Sequence, residues 1–357
     1  MQIKINYTKN PRSGTGQKSD MRFGMSFTDK MFMMTYSKDT GWTDPVIKNY
    51  EPFVLFPSAL VFHYAQEIFE GQKAYKWQDG TIALFRPEMN IKRFNRSADR
   101  LCMPKVDEAL FMDALERLVW EDRDYIPKEA GHSLYIRPTM IAIDPLLGVR
   151  TGGQYIFFII DSPTGNYFVE GFNPTKILVS DKYVRAVPGG VGEAKTGGNY
   201  AASLKAMEEA RAKGFTQVLW LDGIERKYVE EVGVMNIFFV EKGKLITPAF
   251  SGSILNGITR DSVITVAKDL GYSVEEKRIA IEDVCKGIEA GTVTECFGSG
   301  TACVISPVGE LNYKERSYTI NNFKTGSVTK AIYDAITGIQ YGKVKDKHGW
   351  IRTVKPK

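Results

Sequence analysis

The clearest periodic signal begins at Asp107, where Phe111, Ala114, Leu115 and Leu118 fall at the i, i+3, i+4, i+7 spacing of one buried helical stripe and the aspartate can cap the first turn. Before it, Thr81-Ile-Ala-Leu-Phe-Arg86 reads as a strand, and Asn90 is placed to cap a helix that runs to Leu101 and stops before Pro104. His132–Ile143 and Tyr155–Ile160 read as strands, the second apolar enough to be buried on both faces. The alternation continues with a strand at Ile177-Leu-Val-Ser180, a helix beginning with Tyr200, Leu204 and Met207 and ending at Gly214, and strands at Gln217–Asp222, Asn236–Val240 and Lys244–Thr247. A last helix places Val263, Val266, Ala267 and Leu270 on one face and closes at Gly271. Strands and helices interleaved in both halves predict an α/β or α+β fold, and periodicity alone does not choose between them.

Turn formers cluster in Asp161-Ser-Pro-Thr-Gly-Asn-Tyr-Phe-Val-Glu-Gly-Phe-Asn-Pro174 and mark a crossing between domains. The expected layout is a small N-terminal domain over residues 1–169, a linker at 170–175 and a larger domain over 176–357. The polar, turn-rich first thirty residues, as in Asn10-Pro-Arg-Ser-Gly-Thr-Gly-Gln17, read as an extended arm. A length of 357 residues suits two domains, each large enough for its own core, with a crevice available between them.

Composition narrows the class. With 43% hydrophobic and 25% charged residues, the chain is neither disordered, collagenous nor a coiled coil. Lys and Arg number 47 against 42 Asp and Glu, and no run of five or six like charges occurs, so nucleic acid is not an expected partner. The most basic tract, Lys343 to Lys357, reads as a solvated tail. No stretch approaches the roughly 18 apolar residues of a membrane span, and the N-terminus lacks an apolar core, so the expectation is a soluble, untargeted protein. Four cysteines without a Cys-x-x-Cys pair fit a reducing cytoplasm, and three scattered histidines give no metal-ligand spacing.

The most unusual segment is Val187-Pro-Gly-Gly-Val-Gly-Glu-Ala-Lys-Thr-Gly-Gly-Asn-Tyr200, with five glycines around one lysine, which reads equally as a flexible loop or as a loop facing a cofactor. It is one residue short of a nucleotide-binding phosphate loop: Ala194 stands where glycine is needed, and Gly197 and Gly198 would sit in the first turn of the helix that must hold the phosphate. The other chemistry open to Lys195 is a Schiff base, which needs a reachable amine of lowered pKa. A pyridoxal phosphate enzyme also needs an acid at the pyridine nitrogen, a donor at the ring oxygen and an anion site. Glu230 and Glu231 enter a strand, where at most one of two neighbours points inward, and two edge charges read as well. Leu255-Asn-Gly-Ile-Thr-Arg-Asp261 leads into a helix whose first amides make an anion site, and Phe297-Gly-Ser-Gly-Thr-Ala-Cys303 offers a second small-residue turn.

Taken in order, these segments resemble branched-chain amino acid aminotransferases, members of the fold-type IV class of pyridoxal phosphate enzymes. The likeness covers nearly the whole chain, through Phe62-His-Tyr-Ala-Gln-Glu-Ile-Phe-Glu-Gly-Gln-Lys-Ala-Tyr75, Phe85-Arg-Pro-Glu-Met-Asn-Ile-Lys-Arg93, Leu134-Tyr-Ile-Arg-Pro-Thr139, Lys195-Thr-Gly-Gly-Asn-Tyr200, Glu231-Val-Gly-Val-Met-Asn-Ile-Phe238 and Gly298-Ser-Gly-Thr-Ala302. It implies a two-domain α/β (α+β) fold-type IV architecture, with pyridoxal 5'-phosphate between the domains and bound mainly by the C-terminal one. By the same resemblance Lys195 forms the aldimine, Glu231 pairs with the pyridinium nitrogen and Tyr200 bonds the ring oxygen. Arg93, the amides of Ile258 and Thr259, and Thr301 would hold the phosphate.

The implied reaction is the reversible, ping-pong transfer of the amino group of L-leucine, L-isoleucine or L-valine to 2-oxoglutarate. Tyr64, Phe69 and Tyr167 resemble the aromatic walls of the pocket, and Thr301 and Ala302 would turn amides to the α-carboxylate. Tyr135, Arg137 and the loop Leu147-Gly-Val149 resemble substrate-recognition residues, with contributions across a homodimer interface; for Arg137 a structural ion pair reads as well. Some eukaryotic relatives carry a redox Cys-x-x-Cys where this chain has Cys303-Val-Ile-Ser306, so disulfide regulation of that type is not expected. The competing readings are another fold-type IV enzyme (a D-amino acid or amine aminotransferase, or aminodeoxychorismate lyase), a non-catalytic cofactor binder, and a nucleotide-binding protein with a degenerate phosphate loop.

Overall fold

The computed structural model describes residues 1–7, 21–129, 131–165 and 171–356, which form two compact units. Unit 1 comprises Met1–Tyr167, Ala194–Gly197 and Ile339–Lys357, and unit 2 comprises Phe168–Glu193 and Gly198–Gly338. The main crossing lies near residue 170, but the chain returns to unit 1 twice. The expected layout placed 194–197 and 339–357 in the second domain; with them, unit 1 is the larger of the two rather than the smaller.

Unit 1 contains β1 (Lys4–Asn6), β2 (Lys30–Ser37), β3 (Gly41–Asn49), α1 (Leu60–Tyr64), β4 (Glu67–Phe69), β5 (Gln72–Lys76), β6 (Ile82–Phe85), α2 (Pro87–Arg100), α3 (Glu108–Glu121), β7 (Ser133–Ala142) and β8 (Gln154–Thr164). Its sheet runs β1-β3-β2-β8-β7-β5-β6, with the C-terminal strand Ile351–Val354 outside β6 and β4 alongside β7. Helix α3 follows the sequence pattern: the Asp107 side chain accepts from the Leu110 amide at 2.8 Å, and the stripe from Phe111 to Leu118 is buried. Phe94 of α2 and Phe111 of α3 meet Phe157 of β8 at ring separations of 5.3 and 4.9 Å. This aromatic cluster is the centre of the core, and truncating one of its rings to alanine costs about 3 to 5 kcal/mol.

Two expectations in unit 1 need correction. Helix α2 begins at Pro87, where a missing N–H is no loss, and Asn90 lies inside it; its side chain instead donates to Glu70 Oε2 at 2.8 Å. The C-terminal tract is not wholly a solvated tail: Ile351 pairs with Phe85, Val354 with Ile82, and Val354 is buried. The two apolar positions are too few to read as a strand locally, but the open edge of β6 supplies the partners for its backbone.

Unit 2 contains β9 (Thr175–Ser180), α4 (Gly197–Ala201) after its first residue, α5 (Leu204–Ala212), β10 (Gln217–Leu221), β11 (Val229–Val232), β12 (Met235–Glu241), β13 (Lys244–Pro248), α6 (Ile258–Asp269), β14 (Val274–Lys277), α7 (Ile281–Glu289), β15 (Val293–Gly300), β16 (Val304–Tyr313), β17 (Arg316–Thr319) and α8 (Ser327–Gln340) up to its last two residues. Strands β11-β10-β9-β16-β15-β12 pair in that order, and β12 pairs back to β11, so six strands close on themselves while β13 and β14 extend beyond β12. Phe238 and Phe297, directly opposite on β12 and β15, stack at 5.2 Å. The single helix expected from Tyr200 to Gly214 is two: Ser203 Oγ donates to the Tyr200 carbonyl at 2.6 Å, a local bond that competes with helix continuation. Leu270 follows the last turn of α6 and is exposed, not part of its buried face.

Candidate active site

In unit 1 the backbone around Lys195 is pinned from three directions. Its N–H donates to Ser97 Oγ on α2 at 2.9 Å, its carbonyl accepts from the Phe69 amide at 3.0 Å, and the Thr196 hydroxyl donates to the Glu67 carbonyl at 2.7 Å. The half-buried side chain places Nζ 5.0 Å from the centre of the Phe69 ring. Burial of the ammonium and the nearby Arg93 guanidinium pull its pKa down to about 8, against a smaller upward pull from Glu70.

Arg93, on the buried face of α2, is gripped by Glu70 in a fork: Nε to Oε1 at 2.6 Å and Nη2 to Oε2 at 2.8 Å. Burial alone would raise the Glu70 carboxyl, but Arg93 and Asn90 together hold it below its ordinary value. On β7, Arg137 Nη2 donates to Tyr135 Oη at 3.1 Å and its guanidinium lies 4.7 Å from the centre of the Phe69 ring. A side chain on Gly71 would have its Cβ 2.0 Å from Tyr135 Oη, so glycine is what lets β7 approach here. Phe69, Arg93, Tyr135, Arg137 and Lys195 therefore belong to one neighbourhood. Tyr64 ends α1 and is 40% exposed, while Leu147 and Val149 are 68% and 88% exposed and pack little against unit 1. Tyr167 lies outside the described residues.

In unit 2, Glu231 is buried in β11, its Oε1 accepting from the Leu255 amide at 2.7 Å and its Oε2 3.1 Å from Arg185 Nε. Tyr200, Asn199, Arg185, Glu231 and Leu255 line one small cleft. Glu230 is buried as well, a correction to the expectation that at most one of the pair turns inward. Its Oε1 accepts from Ser251 Oγ at 3.0 Å and from Ser253 Oγ, so both carboxylates find donors on the same loop from opposite faces of the strand. Ile258 and Thr259 open α6, whose N-cap is Gly257 with no capping side chain. Thr301 and Ala302, both half-buried, form the turn between β15 and β16.

The degenerate phosphate loop does not have the geometry of one, because α4 starts only at Gly197, after the lysine, and is five residues long. Glu70, Ser97 and Arg185 carry no assigned role in the sequence, and Glu230 reads there only as an alternative acid or an edge charge. Glu70 lies within Ile68-Phe69-Glu70-Gly71, where a carboxylate in an apolar setting is the available signal; nothing local marks Arg185 or Ser97. Among the described residues, no group of three His, Cys, Asp or Glu side chains is arranged to hold a metal, and no helix is long and apolar enough to cross a membrane.

The family model for amino-transferase class IV matches residues 67–311, spanning both halves just described. Branched-chain-amino-acid aminotransferase 2 of Bacillus subtilis (strain 168) is 51% identical over 354 residues, covering 99% of this chain and 97% of the relative. The solved branched-chain amino acid aminotransferase from Escherichia coli superposes with a TM-score of 0.73 at 28% identity, over 91% of this chain and 99% of that one. The T.th. branched-chain amino acid aminotransferase, solved with pyridoxamine 5'-phosphate, gives 0.74 at 28% identity over 90% and 98%. The chain belongs to the class IV amino-transferases, in the branched-chain-amino-acid aminotransferase family.

Proposed function

We propose that this protein is a pyridoxal phosphate-dependent branched-chain amino acid aminotransferase, moving the amino group of L-leucine, L-isoleucine or L-valine to 2-oxoglutarate and releasing the 2-oxo acid and L-glutamate. The observation that carries the reading is Lys195: an amine with a fixed backbone and a pKa near 8, far below the ordinary lysine value, is partly neutral at physiological pH and able to act as nucleophile and base. The donor set fits the cofactor. Unit 1 offers the amine and the Arg93 cation, and unit 2 offers a buried carboxylate, the Tyr200 hydroxyl and a helix start for an anion.

When bound, pyridoxal phosphate supplies an aldehyde for amines and a ring that stabilises negative charge at a substrate carbon. Lys195 Nζ takes the proton from the substrate Cα and returns it, acting as base and then acid. Glu231 holds a proton at the ring nitrogen, and Tyr200 donates to the ring oxygen. Arg93, the Ile258 and Thr259 amides and Thr301 bind the phosphate, with the Arg93 fork aimed by Glu70. Thr301 and Ala302 orient the α-carboxylate; Tyr64, Phe69 and Tyr167 form apolar walls; Tyr135 and Arg137 recognise the second carboxylate of glutamate. Leu147 and Val149, exposed in this chain, serve the site of a partner copy in a homodimer. The protein works in the cytoplasm.

A half-reaction panel tests this. Protein loaded with pyridoxal phosphate should convert to the pyridoxamine form with L-leucine, L-isoleucine, L-valine and L-glutamate and not with D-alanine. Conversion by D-alanine alone would favour the D-amino acid enzyme, and a protein that takes up no cofactor would end the proposal.

A further inference from the structure

Within unit 2, Arg185 has no part in the roles assigned above, yet it joins three segments. Nε faces Glu231 Oε2 at 3.1 Å, while Nη2 donates to the Ser253 carbonyl and, at 3.3 Å, to the Gly192 carbonyl. The pair is withdrawn from water, the arginine side chain being 8% and the glutamate side chain 4% exposed. A Cβ on Gly192 would lie 2.2 Å from the Ser253 carbonyl oxygen, so the glycine-rich stretch reaches this arginine only because no side chain intervenes.

The loop that Arg185 grips is held again from the far side. The Leu255 amide donates to the other oxygen of Glu231, the Leu255 carbonyl accepts from Asn236 Nδ2 at 3.0 Å, and Ser251 and Ser253 donate to Glu230. The same loop runs through Gly257 into the first turn of α6. Nε is paired with the carboxylate by charge, its N–H making no directed hydrogen bond, while Nη2 reaches both carbonyls, so one cationic head ties the acid to two backbone segments.

We propose that Arg185 is a positioning residue that locks the Glu231 carboxylate to the loop Ser251–Leu255, setting the acid and the anion-binding helix start in one rigid frame. The inference rests on the reading of Glu231 as the partner of the ring nitrogen.

The test uses the full chain as Arg185→Gln, Arg185→Lys, Glu231→Gln and the double variant Arg185→Gln/Glu231→Gln. In cofactor-free protein, hydrogen exchange at the Leu255 amide should be at least tenfold faster in Arg185→Gln than in wild type, and the Lys variant should recover part of the protection. Pyridoxal phosphate should bind about tenfold more weakly, and kcat for L-leucine should fall about tenfold with KM within twofold. In the Glu231→Gln background the same substitution should change kcat by less than twofold, because its effect passes through the carboxylate. Unchanged exchange and cofactor affinity, or an undiminished tenfold loss in the Glu231→Gln background, would overturn the proposal. Wild-type protein that neither binds the cofactor nor converts L-leucine would sink the functional reading instead, and Leu255 exchange would still decide the role of Arg185.

Discussion

Lys195 and Glu231 carry opposite charges, lie in different units, and are held in opposite ways. Around Lys195 the backbone is fixed by three hydrogen bonds while burial and Arg93 oppose the charge on the side chain. Around Glu231 the charge itself is the handle, with a guanidinium on one oxygen and an amide on the other. The contrast matches the work proposed for each group. A group that must gain and lose a proton is positioned through its main chain and left where neither form is strongly preferred. A group that must stay anionic is positioned through that charge.

The strongest way to break the comparison is Lys195→Ala, which should reduce turnover of L-leucine by about 10⁴-fold and remove the visible absorbance of the lysine-bound cofactor, read in single-turnover assays and spectra. A residual rate within tenfold of wild type would show that another base operates. Next, Glu231→Gln should fold and bind cofactor but lose about 10²-fold in kcat, a scale typical of removing one preorganised electrostatic partner. Unchanged turnover there would identify a different acid.

A third variant tests the support beneath Lys195. Glu70→Gln leaves Arg93 as a buried cation without its carboxylate, and unit 1 should lose about 3 kcal/mol in urea unfolding. The same change removes the group that holds the Lys195 pKa up, so the pH midpoint of cofactor capture should move below its wild-type position.

The smallest effect is a pH profile. In wild type, capture of pyridoxal phosphate should speed up about tenfold per pH unit below pH 8 and level above it, whereas a surface lysine would level near its ordinary value of 10.5. Because the folded-state pKa is depressed, the unfolded chain binds more protons between about 8 and 10.5. Cofactor-free wild type should therefore gain stability relative to Lys195→Met as pH rises through that window. A profile still climbing at pH 10 would mean that Lys195 behaves as an ordinary solvated lysine.

Much of the frame is legible in the chain. Helix α3 can be read because its cap and its stripe are local and agree, and most of the strands because apolar runs end at turn residues. The start of α2 is misread for a tertiary reason: Asn90 has the chemistry of a cap, but Glu70, twenty residues away in sequence, engages its side chain. Ile351–Val354 becomes a strand because β6 has an open edge, which no count of apolar residues could reveal. The site divides along the same line. Lys195 and Glu231 stand out through a glycine-rich setting and an ordered resemblance, whereas Ser97 and Arg185 look like any surface serine and arginine.

By itself, then, the sequence determined most of the segments that form helices and strands, and which side chains bring an amine, an acid and a cation. Those properties follow from local stereochemistry and from residue type. Only the tertiary structure decided that Glu230 and Glu231 are both buried and that Arg185 holds one of them. The loop Ser251–Leu255 supplies donors to both carboxylates, and a pKa near 8 at Lys195 arises from burial and from Arg93, about a hundred residues away in sequence.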